Sequence, residues 1–251
     1  MNSLTKKITK RDVIHDEIFA EEYLTRMPRK QIRYIAVEGP IGVGKSTLAG
    51  MLADKYSSRI VLERYEENPF LETFYGDRKK FAFQTQLFFL LSRYRQQQEM
   101  MHDDLFFESV VSDYLFQKDR IFAEVNLNRD ELKLYDEVQR ALDRTVPIPD
   151  VVIYLQGSVN LLQRNIKRRS RPYEQAISRE YLEEVVNAYN TFFFHYRDSR
   201  LLVANCDQFD FLGNPAHFEI LTDAIGRSPH PPIEYLTTGE PFFTPLTDEE
   251  K

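Results

Sequence analysis

Gly39-Pro40-Ile41-Gly42-Val43-Gly44-Lys45-Ser46 has the spacing G-x-x-x-x-G-K-[ST] of a loop that holds phosphate. The residue types follow from the ligand. A polyphosphate is a dense negative charge that needs many donors at close range. Glycine lets the backbone turn tightly, so that successive N–H groups point inward at the phosphate oxygens. A helix starting at the end of the loop adds its positive N-terminal end. Lys45 is placed to reach the β- and γ-phosphates, and the Ser46 hydroxyl to hold Mg²⁺. The flanks agree. Ile32 to Val37 reads as a buried strand entering the loop, and Thr47 to Lys55 as a helix leaving it. That strand–loop–helix order separates a phosphate loop from an accidental Lys-Ser after a glycine-rich turn.

The chain has 251 residues, enough for one α/β domain with a sizeable core. Its 33 basic and 39 acidic side chains leave a net charge of −6. That argues against a general nucleic-acid binder but allows a local basic pocket. Cys206 is the only cysteine, so no intrachain disulfide forms, and a reducing cytoplasmic setting suits the chain. Cys206 itself reads as a plain strand-end residue. No apolar run is long enough to span a membrane. Residues 1–12 carry Lys6, Lys7, Lys10 and Arg11 without an apolar stretch, so no secretory signal is expected. Acidic residues from Asp12 to Glu22 argue against a transit peptide.

Four more short apolar runs follow the phosphate-loop strand: Arg59 to Glu63, Phe106 to Val111, Asp150 to Leu155 and Arg200 to Ala204. Helical stretches separate them, at Lys79 to His102, Asp130 to Leu142, Val159 to Arg169, Ser178 to Tyr196 and Pro215 to Ile225. Alternating apolar strands and helices predict an α/β fold of the P-loop NTPase type. It is a three-layer sandwich whose five-stranded parallel sheet carries helices on both faces. Residues 1–30 read as an N-terminal extension with a short helix over Val13 to Leu24. Residues 31–227 form the domain. Residues 228–251, rich in Pro, Thr and Glu, read as a loosely ordered tail. In such a sheet ligands bind beyond the carboxyl ends of the strands, so polar residues just after each strand are the candidates.

Glu63 ends the second strand on the phosphate side, where a carboxylate can accept the proton of a substrate hydroxyl. A solvated strand-end glutamate is the plain alternative. The aromatic helix from Phe81 to Arg93 sets Gln86 and Arg93 seven residues apart on one face. An amide and a guanidinium so placed can read the edge of a base. Equally, the phenylalanines are core and the polar residues face solvent. Asp113 follows the third strand, and Asp119-Arg120 lies six residues on. Arg164-Asn165-Ile166-Lys167-Arg168-Arg169-Ser170-Arg171 packs five cations into eight residues. Such a cluster repels itself unless an anion joins it, and a lid closing on triphosphate supplies one.

Taken together, in order and spacing, these segments resemble the deoxynucleoside kinase family over about residues 32–225. The resemblance implies roles. Glu63 matches the base for the 5′-hydroxyl. Tyr75 and Gln86 keep the family's eleven-residue interval between a sugar-contacting tyrosine and a base-reading glutamine, and Arg93 follows seven residues later. Asp113 matches the acid of the motif after the third strand, and Asp119 the base-reading aspartate before Ile121-Phe122-Ala123. Arg169, Arg171 and Glu174 match the lid, and Asn165 falls where the lid's first arginine is expected, with Arg164 one residue off. Arg168 and Arg164 would face phosphate. Asp207 and Phe209 match the loop that cradles the donor adenine. The chain departs from the pattern at Tyr114 and Leu115, where the family has arginine and serine. The arginine helps hold the catalytic glutamate, so Arg120 or a lid arginine is the expected substitute.

The implied activity is transfer of the γ-phosphate of ATP, with Mg²⁺, to the 5′-hydroxyl of a deoxynucleoside for nucleotide salvage. An Arg93–Asp119 pair suits an exocyclic amine or an O6/N7 edge and crowds a thymine methyl, so deoxyadenosine, deoxyguanosine or deoxycytidine is expected over thymidine. The expected partners are the deoxynucleoside and ATP, with no nucleic acid and no membrane. The family's usual dimer makes the helix from Lys79 to His102 a candidate interface. A nucleoside-monophosphate kinase and a non-catalytic P-loop subunit are the alternatives.

Overall fold

The structure is a computed structural model that describes residues 32–102, 108–143 and 146–238. The expected helix over Val13 to Leu24, and Phe106 and Phe107 of the expected third strand, lie outside the described residues.

Strand β1 (Tyr34–Glu38) runs into the phosphate loop and helix α1 (Lys45–Tyr56). Then follow β2 (Arg59–Val61), α2 (Leu71–Gly76), the long α3 (Arg78–His102) and β3 (Val110–Ser112). Helices α4 (Lys118–Asn126) and α5 (Arg129–Asp143) lead to β4 (Val151–Gln156). The order closes with α6 (Val159–Arg169), α7 (Arg179–His195), β5 (Arg200–Asn205), α8 (Pro215–Gly226) and β6 (Ile233–Tyr235). The strands form one parallel sheet in the order β2-β3-β1-β4-β5-β6. Among the described residues the expected five strands are therefore six. The sixth comes from the segment read as a loose tail, where Leu201 and Leu236 N–H groups extend the β5–β6 ladder. Its composition hid it, because an edge strand of three residues has almost no pattern of its own.

β1 shows why the sheet is covered twice. Tyr34 and Ala36 join one core with Tyr154, Tyr189 and Leu90. Ile35 and Val37 join the other with Leu48, Leu52 and Ile153. Successive side chains point to opposite faces, so both faces need helices. β1 and β4 lie side by side at the centre and send their connections to opposite sides of the sheet. The phosphate loop rises from that parting point, where doubly wound sheets open a crevice.

Local chemistry sets the helix starts. Gly44, at φ 110°, caps α1 without a side chain. Ser158 and Ser178 cap α6 and α7 by accepting from the N–H groups of Leu161 and Tyr181. Asn214 caps α8, with Pro215 in its first turn.

Candidate active site

The phosphate loop is held from below by a residue that pattern reading passed over. Glu38 is fully buried at the end of β1. It accepts from the N–H of Gly39 at 2.8 Å, the N–H of Leu115 at 2.8 Å and the Tyr189 hydroxyl at 3.0 Å. A buried carboxylate is tolerable only with such partners. Here they tie the loop to the β3–α4 connection and to α7. The signal was a charged residue at the end of an otherwise apolar strand.

The loop is a partition between two cavities. Ile41, Gly42, Lys45 and Ser46 face the first, a cavity partly open to solvent. Val43, Gly44 and Thr47 face the second, on the side of α6 and the loop after β5. Gly42 has φ 86°, and a Cβ there would stand 2.9 Å from Ile166 Cγ1 and 3.0 Å from the Leu162 carbonyl oxygen. Only glycine lets α6 lie so close. Asn165, at the expected lid-arginine position, donates from Nδ2 to the Gly42 carbonyl at 2.8 Å. It ties the lid helix to the loop. Lys45 Nζ donates to the carbonyls of Gly39 (2.8 Å) and Pro40 (3.1 Å). Its pKa falls to about 8, first through burial and then through the nearby Lys118 charge.

In the first cavity, α3 turns an unusually polar face inward. Gln86 and Arg93 are buried and line the cavity, so the reading in which they face solvent is corrected. Arg93 bridges two carboxylates, reaching Glu63 with Nη2 and Asp119 with Nη1. Lys118 Nζ takes the other oxygen of Glu63 at 2.6 Å. Two anions and two cations thus balance in a nearly dry site. Burial opposes the charge on Glu63, but Arg93 and then Lys118 outweigh it and hold the carboxyl well below the usual range. Gln86 Oε1 and Asp119 Oδ2 are buried without a hydrogen-bond partner. Both residues line the cavity.

Asp113 lines the same cavity and is bound at both carboxylate oxygens. Its Oδ2 accepts from the Ser46 hydroxyl and its Oδ1 from the N–H of Glu63 at 2.7 Å. It thereby joins the phosphate loop to the second strand's end. At the far side, Tyr75, Arg169, Arg171 and Glu174 line the same cavity. Glu174 accepts from Arg169 Nε at 2.6 Å and Arg171 Nη1 at 3.5 Å. The Tyr75 ring stacks on Tyr173 at 6.1 Å, and burial raises its pKa well above normal, so its hydroxyl stays protonated. Arg171 lies over the ring of Tyr65 at 4.2 Å.

The second cavity gathers Arg164, Arg168, Asp207 and Phe209 with the outer side of the loop. Asp207 accepts from the Ser158 N–H at 2.6 Å and hydroxyl at 2.7 Å, which fixes its loop against the start of α6. Phe209 is buried and stacks on Phe211 at 5.5 Å. Cys206 borders this cavity, and burial raises its thiol to about 12, so it is inert.

The expected substitutes for the missing arginine do not reach Glu63. Arg120 pairs outward with Glu124 and Asp136, each at 2.8 Å. The lid arginines pair with Glu174. Lys118 is the second cation on Glu63, and its position five residues after Asp113 carried no signal in the sequence.

A deoxynucleoside kinase family model matches residues 35–228. The chain is 35% identical over 193 residues to a deoxyguanosine kinase of Bacillus subtilis, covering 74% of this chain and 92% of that protein. It is 30% identical over 211 residues to a Bacillus subtilis deoxyadenosine/deoxycytidine kinase, covering 81% and 95%. Its fold matches that of a deoxyadenosine kinase from M. mycoides with bound dATP, at a TM-score of 0.68 and 26% identity. That match covers 77% of this chain and all of the other. With a phosphate loop and the Glu63 carboxylate lining one cavity, the chain belongs to the deoxynucleoside kinase family.

Proposed function

We propose that this chain transfers the γ-phosphoryl group of ATP to the 5′-hydroxyl of deoxyadenosine, deoxyguanosine or deoxycytidine in preference to thymidine. The observation that carries the reaction is Glu63, an ionised carboxylate lining the same cavity as Lys45 and the phosphate loop. The observation that carries the base is the pair of unpartnered acceptors, Gln86 Oε1 and Asp119 Oδ2. An exocyclic amine offers two N–H donors; thymine has no such group.

The sugar lies between Tyr75 and Glu174, with its 5′ end toward Glu63. Because Arg93 and Lys118 stabilise the charged form, Glu63 is a weak proton sink. Its work is to accept the hydroxyl's hydrogen bond and aim the oxygen at phosphorus. That suffices for a loose phosphoryl-transfer transition state, in which the nucleophile needs little activation. Lys45, the loop N–H groups, Arg169 and Arg171 stabilise charge on the transferring group. ATP enters from the side of Thr47, Arg164 and Arg168, its adenine against the loop of Asp207 and Phe209. Ser46 and Asp113 offer a hydroxyl and a carboxylate, a hard-oxygen set that fits Mg²⁺. When bound, the ion would neutralise β- and γ-phosphate charge. No helix among the described residues is long and apolar enough to cross a membrane. The single cysteine suits a reducing, cytoplasmic setting, and the family resemblance supports a homodimer built on α3 and a kinase domain over residues 31–227.

Steady-state phosphorylation of the four deoxynucleosides with Mg-ATP tests the reading, alongside Glu63→Gln. Expected is turnover of dA, dG or dC, with kcat about 10²–10⁴-fold lower in the variant. A preference for dT would overturn the base assignment, and no turnover of any would overturn the reaction.

A further inference from the structure

The similar family grips its catalytic glutamate with an arginine directly after the motif acid. Here that position is Tyr114, which is fully buried in the core on the α3–α7 face. Arg93 lies over its ring at 6.0 Å. Four residues later, at the first position of α4, Lys118 extends into the cavity. Its side chain is 6% exposed and its ammonium stands 2.6 Å from Glu63 Oε2. Phe122, one turn on, places its ring 5.8 Å from that ammonium. Its ammonium is paired with the Glu63 carboxylate.

We propose that Lys118 is the positioning cation of the phosphoryl-transfer site, working from α4 in place of an arginine at position 114. The inference rests on the kinase reading above. Arg93 holds one oxygen of Glu63 and Lys118 the other, so the carboxylate plane is fixed from both sides. Lys118 also lies near enough to Lys45 for the two charges to repel. It therefore places a second positive charge beside the path of the transferring phosphoryl, where that repulsion is relieved. A lysine makes one point contact where arginine makes a fork. Its ammonium can stay on Glu63 or turn to phosphate, but cannot span both as rigidly.

Lys118→Met and Lys118→Arg test this, with thermal melting and ATP binding as measures of folding. In Lys118→Met, kcat is expected to fall about 10²-fold, while KM for the nucleoside stays within about threefold. Lys118→Arg should recover at least about a tenth of wild-type kcat. Lys118→Met with kcat within about threefold of wild type would overturn the proposal. So would a fully folded Lys118→Arg as inactive as the methionine variant. If the methionine variant does not fold, the arginine variant decides: activity supports the proposal, and a folded inactive protein overturns it. A wild-type protein that turns over no deoxynucleoside would overturn the kinase reading itself, before either variant is read.

Discussion

The phosphate loop and the nucleoside cavity share Lys45 and Ser46, yet they are built in opposite ways. The loop is eight consecutive residues whose ligands are mostly backbone N–H groups. The cavity takes Glu63, Tyr75, Gln86, Arg93, Lys118, Asp119 and Glu174 from segments spread over more than a hundred residues. In the loop, chemistry depends on conformation, and of its side chains Val43 is buried in the core. In the cavity, each charged side chain is also a partner of another buried charge. Removing one strands its neighbour in a dry site, so function and stability are lost together.

The sharpest break of this contrast is Arg93→Met. It leaves Glu63 to Lys118 and Lys45, and Asp119, 1% exposed, without its cation. Activity should vanish, and denaturant unfolding should show a loss of about 3–5 kcal/mol. A variant with wild-type stability would mean that the buried charges relax to water.

Lys45→Met should separate what Arg93→Met joins. Expected is a fall in kcat of about 10²–10³-fold with no loss of stability at pH 7. Burial lowers the folded pKa of Lys45 to about 8, below its unfolded value, so its charged form weakens the fold at neutral pH. That penalty fades as pH rises from 8 toward the unfolded pKa, because the unfolded state binds the extra proton. Melting curves of both proteins from pH 7 to 10 check it. The variant's advantage should shrink as pH rises, and a variant less stable than wild type at pH 7 would refute the contrast at its centre.

Gly42→Ala asks whether conformation alone carries the loop. The new Cβ meets Ile166 and the Leu162 carbonyl at a positive φ. Unfolding should lose about 1–3 kcal/mol, and ATP binding by calorimetry should weaken more than nucleoside binding. Equal weakening of both would show that the partition is not local.

Tyr189→Phe should have the smallest effect. It removes one of three donors to Glu38 and leaves two backbone N–H groups. A loss of about 1 kcal/mol, read by denaturant, is expected, with kcat nearly unchanged.

Glu63 adds a pH dependence of its own. Its folded pKa is depressed, so its contribution is full above the unfolded carboxyl value of 4.5 and is lost as pH falls below it. Glu63→Gln should flatten the acid side of the stability profile in that window.

What could be read in the chain alone follows the same division. The phosphate loop, the parallel sheet with its double cover, and most helix spans were legible, because each is written in neighbouring residues or a short period. Interval matching to a similar family then carried Tyr75, Gln86 and Arg93, all of which reach one cavity. Three things were decided only by the tertiary structure. Glu38 became the anchor of the loop because Leu115 and Tyr189, 77 and 151 residues away, arrive at its carboxylate. β6 became a strand because β5 offered an edge to pair with. Lys118 became the second cation on Glu63, while Arg120, two residues later, turned outward to Glu124 and Asp136. A helix sends successive residues about 100° apart, so which of two neighbouring cations faces the site is a matter of where the helix sits. Local sequence sets the conformation of a loop, but the partner of a buried charge is chosen by packing.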